Sequence, residues 1–173
     1  PFLPIGLICP IGPMNPIIRK AQPADLAEIS RLNLALFKIQ HRFDPTANLD
    51  WTFSDNGQKY FKKRISAKDS FAAVAENKPG QLKGYIIGAI IKRQPWRIKA
   101  AYAEVESIFV EKKYQGAGLG DKLTRDFINW CLKNKVNYVS LLVAPSNQPA
   151  VGFYKKLGFK DYDLVMQLKL VRE

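Results

Sequence analysis

Three glycines stand where a strand-like run gives way to a helix-like one, and they could hold an anion. Residues 107–110 read Ser-Ile-Phe-Val, residues 115–120 read Gln-Gly-Ala-Gly-Leu-Gly, and residues 119–132 have the apolar spacing of an amphipathic helix. Without Cβ atoms, successive backbone N–H groups can converge on an anion at a helix N-terminus, where the peptide dipoles favour negative charge. The pattern predicts a phosphate-binding turn.

The best-known phosphate loops do not fit this turn. A Walker loop requires Lys and then Ser or Thr after the last glycine, whereas Asp121 follows Gly120. A Rossmann turn requires an acidic residue at the end of a second parallel strand, but the predicted strand 138–143 is followed by Ala-Pro-Ser-Asn. Taken alone, the glycines leave the ligand open, and a purely structural turn is an alternative.

A second sequence motif narrows the choice of ligand for the glycine turn. Residues 147–159 read Asn-Gln-Pro-Ala-Val-Gly-Phe-Tyr-Lys-Lys-Leu-Gly-Phe. This run is similar to the signature Asn-x-x-Ala-x-x-Phe-Tyr-x-Lys-x-Gly-Phe of the GCN5-related N-acetyltransferase (GNAT) family, and residues 115–120 match that family's pyrophosphate loop, Arg/Gln-x-x-Gly-x-Gly/Ala. The chain resembles the family from about Ile17 onward. One departure is Gln115, which stands where arginine is commoner and so removes a positive charge near the phosphates.

The resemblance implies acetyl-CoA as cosubstrate, and the small number of His and Cys ligands predicts that no metal is bound. An exposed strand edge before the turn would pair with the amides of the pantetheine arm as a further strand would. Lys112, Lys113 and Lys122 would add positive charge beside the phosphates. The implied cofactor-binding residues are Ile108, Phe109, Val110, Gln115, Gly116, Ala117, Gly118, Leu119, Gly120, Asn147 and Tyr154.

Four residues are candidates for the chemistry of amine acetylation. An alkylamine has a pKa of about 10.4, so a base must remove its proton before it can attack. Glu106 is the first candidate for this base and Glu104 is the second. The two glutamates lie two apart on a strand, which predicts that they share a face. By resemblance, Tyr154 protonates the leaving thiolate, while the Val110 N–H would stabilise an oxyanion. The structural alternatives are surface charges with water as base, a core position for Tyr154, and a helix cap for Asn147.

Composition limits the class of protein. The 27 Lys and Arg against 15 Asp and Glu give a formal charge of +12, which suits nucleic acid, an anionic membrane surface or an anionic small molecule. The positive residues come mostly as singles and pairs, with residues 62–64 the densest group, which does not favour a nucleic-acid arm. Two distant cysteines and one histidine argue against a disulfide framework or a zinc site and favour a reducing cytoplasm. No run is long or apolar enough to span a bilayer.

The hydrophobic spacing predicts an α+β fold. Helices are expected over residues 26–36, 56–65, 119–135 and 149–157, and strands over residues 16–21, 71–75, 82–92, 101–110 and 138–143, with a final strand near 164–170. Hairpins come first, and a βαβ unit follows, in which the strands ending at residues 110 and 143 should be parallel. This order predicts a three-layer α/β/α architecture, with a mixed, mostly antiparallel twisted sheet and helices on both faces.

A single acetyltransferase domain is expected over residues 15–173. Residues 1–14 are expected to be an N-terminal extension outside the domain. Residues 1–13 contain four prolines and no charged side chain, and we interpret them as sequence upstream of a natural start at Met14. The predicted function is transfer of the acetyl group of acetyl-CoA to a primary amine by direct attack. Asp44, Asp50 and Asp55 could help the glutamates to attract a cationic acceptor, either a small molecule or a peptide. A homodimer is left open, and no membrane partner is expected. The alternative is a non-catalytic module that binds CoA, or nucleic acid through its basic surface.

Overall fold

The computed structural model describes residues 16–92, 96 and 98–170. Contacts divide the chain into two compact units, the first ending at Leu142 and the second beginning at Val143, and each is described by itself. The expected extension 1–14, with Met14 and Cys9, lies outside the described residues.

The first unit is built on one five-stranded sheet in the order β1-β2-β3-β4-β5. Its strands are β1 (Ile17–Lys20), β2 (Ser70–Lys78), β3 (Gln81–Ile91), β4 (Tyr102–Val110) and β5 (Tyr138–Leu141). Neighbouring strands from β1 to β4 pair antiparallel, whereas β4 and β5 pair parallel. The predicted mixed, mostly antiparallel sheet is confirmed. The central strand β3 is almost wholly apolar from Tyr85 to Ile91 because both of its faces are covered.

Helices cover both faces of this sheet. Helices α1 (Leu26–Gln40) and α2 (Asp55–Ser66) pack on one face, around a core that includes Ile29, Leu32 and Phe61. Helix α3 (Leu119–Lys133) packs on the other face, around a core that includes Leu123 and Phe127. The three-layer arrangement is therefore as the sequence predicts. None of the helices in the described ranges is long and apolar enough to cross a membrane.

The second unit contains helix α4 (Gln148–Lys156). The Asn147 side chain caps its first turn by accepting from the Ala150 N–H at 3.4 Å. Gly158, at φ +93°, ends it with N–H bonds from Gly158 to Lys155 and from Phe159 to Tyr154, the pattern of a left-handed helix stop. The Leu-Gly-Phe end of the second signature is thus a helix terminator.

The predicted strand near residues 164–170 is wrong. Residues 159–170 adopt no regular secondary structure, and Leu164, Met166, Leu168 and Leu170 are each more than 70% exposed. The alternating apolar residues that suggested a strand fit a pleated surface only where a neighbouring strand accepts the backbone hydrogen bonds. No such ladder forms within this stretch.

Candidate active site

The end of β4 extends beyond its parallel neighbour. The register joins Tyr102 to Tyr138 and ends at the pair Val105–Leu141, whereas β4 continues to Val110. Residues 106–110 therefore extend five positions past the last β5 partner. This unpaired end of β4 lies where the family resemblance implies that two parallel strands diverge, and residues 111–114 separate it from the glycine turn.

The alternation of hydrogen-bonded and non-hydrogen-bonded pairs between β3 and β4 determines which backbone groups at the end of β4 are not bonded to β3. The Glu111 N–H donates to the Lys83 carbonyl at 2.8 Å, so Gly84 and Val110 form a pair without mutual hydrogen bonds. The backbone N–H and C=O groups of Ile108 and Val110 consequently point away from β3. Those of Phe109 form hydrogen bonds with Tyr85. Of the three cofactor-binding residues expected on β4, only Ile108 and Val110 offer backbone groups to the outer edge.

The glycine turn is held in a left-handed conformation. Gly116 has φ +81° and Gly118 has φ +78°, a region that residues with a Cβ rarely adopt. A Cβ added at either position would meet no described atom within 4 Å, so conformation, not crowding, requires glycine here. Gly118 precedes the first residue of α3, and no side chain caps the N-terminus of that helix. The first N–H groups of α3 thus remain available to an anion.

Polar side chains around the turn have separate roles. The Gln115 side-chain amide donates to the Val110 carbonyl at 2.8 Å and so ties the turn to the end of β4. The sequence alone indicates only the positive charge that Gln115 lacks, not this hydrogen bond. Asp121 would repel phosphate from the first turn of α3, but Arg125 neutralises it through bonds of 2.7 and 3.1 Å. Exposed Lys113 and Lys122 keep the surroundings positive.

Glu106 occupies a β-bulge. Ile87 of β3 is opposite Ser107, but the next residue, Gly88, is opposite Val105, so Glu106 is an extra residue in β4. Side-chain directions change accordingly: Val105 and Ile108, three apart, both face the α3 side. Glu106 faces α2, and so does Glu104 by alternation with the buried Ala103 and Val105. The two glutamates share a face, as their spacing predicts.

Two residues of α2 contact the Glu106 carboxylate. The Tyr60 hydroxyl donates to Oε2 at 2.7 Å, and the Arg64 guanidinium forms a close ion pair with Oε1. Burial and the nearby carboxylate raise the pKa of Tyr60, so its phenol is neutral. Burial alone would lower the pKa of Arg64, but Glu106 outweighs it and the pKa is raised. Neither Tyr60 nor Arg64 is a candidate from the sequence alone, although each directly precedes a buried core residue of α2.

Trp51, in the segment between α1 and α2, forms an aromatic wall beside this cluster together with Phe37 of α1 and Tyr60 of α2. Trp51 stacks on Phe37 at 5.8 Å between centroids and lies 5.4 Å from Tyr60. A buried chain of hydrogen bonds holds the segment: Thr52 donates to Asn33 at 2.7 Å, and Asn33 donates to the Tyr85 hydroxyl at 2.8 Å. The aspartates 44, 50 and 55 are all exposed.

Asn147 and Tyr154 belong to the second unit. Asn147 is the helix cap described above, which was the structural alternative for this residue. Tyr154 is half-buried, with its ring between those of Phe153 and Phe159 at 5.1 and 5.8 Å. Burial raises the pKa of Tyr154 to about 12, so the phenol keeps its proton at neutral pH and can donate it.

Metal and thiol chemistry receive no support from the described part of the chain. There, no group of three or more His, Cys, Asp or Glu side chains could hold an ion. Cys131 is a buried free thiol in α3, and burial raises its pKa to about 11. A thiol in this state is a poor nucleophile.

Comparison with known proteins identifies sequence relatives. The chain is 36% identical over 67 residues to an uncharacterized N-acetyltransferase of Methanocaldococcus jannaschii, covering 39% of this chain and 30% of the relative. It is 33% identical over 110 residues to an N-alpha-acetyltransferase of Sulfurisphaera tokodaii, covering 59% of this chain and 64% of the relative. The chain thus matches less than two thirds of the length of either relative.

Solved structures share the fold. A mutant of the BH1408 protein from Bacillus halodurans superposes with a TM-score of 0.74 at 20% identity, covering 90% of this chain and 99% of that one. The aminoglycoside N-acetyltransferase AAC(6')-Iy in complex with CoA superposes with a TM-score of 0.67 at 15% identity, covering 89% and 93%. A family model for acetyltransferases matches residues 34–159, which include β4, the glycine turn and the second signature. The chain therefore belongs to the acetyltransferase (GNAT) family.

Proposed function

We propose that this protein transfers the acetyl group of acetyl-CoA to a primary amine. The observation that carries the proposal is the continuity between the outer edge of β4 and the glycine turn. Ile108 and Val110 direct backbone groups away from β3, and the left-handed turn at Gly116 and Gly118 follows within eight residues. An extended arm with amides, ending in a pyrophosphate, matches this sequence of donors and acceptors.

The residues present fit coenzyme A on chemical grounds. The uncapped N-terminus of α3 and the open turn suit phosphate, and Lys113 and Lys122 supply positive charge. The Val110 carbonyl is bonded to Gln115, which leaves the Val110 N–H as the group that would face the thioester oxygen. Acetyl-CoA supplies the activated acetyl group.

In the proposed reaction, this chain's residues bind, orient and move protons. Glu106, on the face of β4 toward α2, accepts the proton of the acceptor ammonium directly or through water, with Glu104 as the second candidate. The Val110 N–H stabilises negative charge that develops on the acetyl oxygen. Tyr154, neutral because of its burial, is the proton donor for the leaving sulfur. Direct attack by the amine requires no covalent enzyme intermediate.

The acceptor is proposed to be a cationic amine. Glu104 and Glu106 give the α2 face of β4 two carboxylates, and the aromatic wall beside Tyr60 can cover apolar parts of an acceptor. Both a small amine and a peptide amino group carry the required charge at neutral pH. A free buried thiol at Cys131 fits a reducing compartment, so we place the protein in the cytoplasm.

Calorimetry with acetyl-CoA, followed by a thiol-release assay, tests this function. The amine panel contains an aminoglycoside, spermidine and a peptide with a free α-amino group. We expect saturable acetyl-CoA binding and amine-dependent thiol release with at least one acceptor. Absence of acetyl-CoA binding by the folded protein would reject the proposal.

The rival function is a basic module that binds nucleic acid. The formal charge of +12 is the observation in its favour. Calorimetry with duplex DNA at two salt concentrations distinguishes the two, because phosphate contacts weaken steeply as salt rises. Strong, salt-dependent DNA binding without acetyl-CoA binding would favour the rival.

A further inference from the structure

Glu106 depends on side-chain contacts for its orientation. As the extra residue of the bulge, it has no opposite residue in β3. Bulges bend a strand and redirect its side chains, so the position of a bulged carboxylate follows from what surrounds it. For Glu106 the surroundings include Tyr60 and Arg64, which are one turn apart on α2.

The three side chains form one connected group. Tyr60 uses one acceptor position on Oε2 of Glu106, and Arg64 uses one on Oε1. An ionised carboxylate has about four such positions, so each oxygen keeps one for another donor. The Arg64 guanidinium carbon also lies 5.3 Å from the centre of the Tyr60 ring, which joins the two holding residues to each other.

Stability alone is a weak explanation for Arg64 at this place. The Arg64 and Glu106 side chains are only 17% and 16% exposed, and removing two charges from water offsets much of their attraction. The Nε–H of Arg64 is buried with no hydrogen-bond partner among the described residues. A methionine would fill similar space without leaving that donor unsatisfied.

We propose that Tyr60 and Arg64 are positioning residues that hold the Glu106 carboxylate in one orientation. The held carboxylate keeps one acceptor position on each oxygen for the acceptor ammonium or an intervening water. Tyr60 and Arg64 act through Glu106 and do not themselves take the proton. This role rests on the proposed acetyl transfer.

A double-mutant cycle tests the role by turnover. The variants are Arg64→Met, Glu106→Gln and their combination, assayed with acetyl-CoA and the fastest amine of the panel. We expect Arg64→Met to lower kcat about tenfold or more and to leave acetyl-CoA affinity unchanged. The double variant should be no slower than Glu106→Gln alone, because Arg64 acts only through that carboxylate. Arg64→Lys should have a higher kcat than Arg64→Met. If the fold-losses of the two single variants multiplied in the double variant, the positioning role would be overturned.

Lys63→Met is the matched control. It removes one positive charge from the adjacent position of α2, but the Lys63 side chain is exposed on the outer face. We expect kcat to be unchanged. A loss equal to that of Arg64→Met would assign the effect to net charge on α2 and contradict the positioning role.

A second measurement needs no acceptor. NMR relaxation of the Glu106 side chain reports its order on the ps–ns timescale in the wild type, Arg64→Met and Tyr60→Phe. We expect an ordered side chain in the wild type and increased motion in both variants. Unchanged order in both variants would overturn the positioning role alone, whereas failure of the wild type to bind acetyl-CoA would overturn the proposed function.

Discussion

Burial and direct contacts give the candidate catalytic residues their chemical character. Tyr154 owes its raised pKa to burial, which keeps a proton on the phenol. Glu106 instead has a guanidinium and a phenol on its two oxygens. One residue is thus suited to donate a proton and the other to accept a hydrogen bond from a cation.

Tyr154→Phe tests the donor. The change removes the hydroxyl and keeps the ring that packs between Phe153 and Phe159, so folding should be preserved. We expect kcat for amine acetylation to fall by about 10²-fold or more, with a change in acetyl-CoA affinity of less than about threefold. Steady-state kinetics and calorimetry measure the two quantities.

Tyr138→Phe is the control for this change. Tyr138 is a 51% exposed tyrosine of β5 whose ring stacks on Tyr102, and the phenylalanine keeps that stacking. Its kcat should equal that of the wild type. Equal kcat for Tyr154→Phe and the wild type would remove Tyr154 from the mechanism.

Residue types and spacing identified Glu106 but not its partners. In the sequence, Tyr60 is one residue of a short predicted helix, and Arg64 belongs to the densest group of positive residues, 62–64. The helical phase distinguishes Arg64 from its neighbours, because it follows the buried Phe61 by three residues and Tyr60 by four and so shares their face of α2. Lys62 and Lys63 are exposed. Which carboxylate an inward arginine meets depends on how α2 packs on β4, and that is a tertiary property.

At the scale of elements, the glycine turn has a conformational requirement that can be separated from ligand binding. Gly118 and Gly80, in the β2–β3 turn, have φ of +78° and +74°, and a Cβ at either would meet no described atom within 4 Å. Gly118→Ala and Gly80→Ala should each cost about 1 kcal/mol of stability. Only Gly118→Ala should weaken acetyl-CoA binding, and Gly118→Asp should abolish it by adding negative charge. Thermal unfolding and calorimetry measure the effects; equal affinities for all variants would reject the phosphate-binding assignment.

The N-terminal end of α2 is packed closely against the aromatic wall. A Cβ at Gly57 would lie 2.1 Å from the Trp51 carbonyl oxygen, so this helix and the segment that precedes it must separate to accept one. Gly57→Ala should lower the free energy of unfolding by about 1–3 kcal/mol, by the cost of overpacking. Urea denaturation measures the change.

Gly152→Ala makes the same substitution inside α4, where a Cβ would meet no described atom within 4 Å. It should leave stability unchanged or raise it by up to about 1 kcal/mol, since alanine favours a helix. Equal effects of the two substitutions would contradict the close packing at Gly57.

Periodicity predicted most elements, but not the irregular ones. The strands around β3 and the helices α1 to α4 follow from apolar spacing, and α1, α2 and α3 bury their apolar faces in the two cores. No glycine within β4 indicates the bulge at Glu106, and the bulge depends on the pairing between β3 and β4. The prediction of a strand near residues 164–170 was wrong for a related reason: alternating apolar residues form a strand only where a neighbouring strand pairs with them.

At the scale of the whole molecule, one arginine links three elements of the first unit. Arg19 of β1 bonds Asp25, in the turn before α1, through two contacts of 2.8 Å, and Glu76 of β2 at 2.8 and 3.0 Å. Arg19, aided by the Gly80 N–H, lowers the pKa of Glu76 to about 2 and holds that of Asp25 below its usual range. Folding therefore favours the ionised form of both carboxylates.

The ionised Glu76 makes stability depend on pH. Because the folded pKa lies below the unfolded value of about 4.3 for glutamate, the stabilisation is complete above that pH and is lost as the pH falls toward about 2. Glu76→Gln should lower Tm at pH 7 and make Tm fall less between pH 5 and pH 3 than in the wild type. Asp50→Asn, an exposed carboxylate outside this cluster, should keep the wild-type pH dependence. If the Tm of Glu76→Gln fell between pH 5 and pH 3 as much as that of the wild type, Glu76 would not be a source of the pH dependence.

The bulge also makes one residue of β4 dispensable to the sheet. Val105 and Ser107, although two residues apart, are opposite the consecutive residues Gly88 and Ile87, as two adjacent residues are in an uninterrupted ladder. A chain shortened by Glu106 alone would keep every neighbouring side chain on its present face and every β3 partner unchanged. Glu106 is thus equivalent to a one-residue insertion in a complete sheet, and an acetyltransferase could gain or lose this candidate proton acceptor in one step without refolding its core.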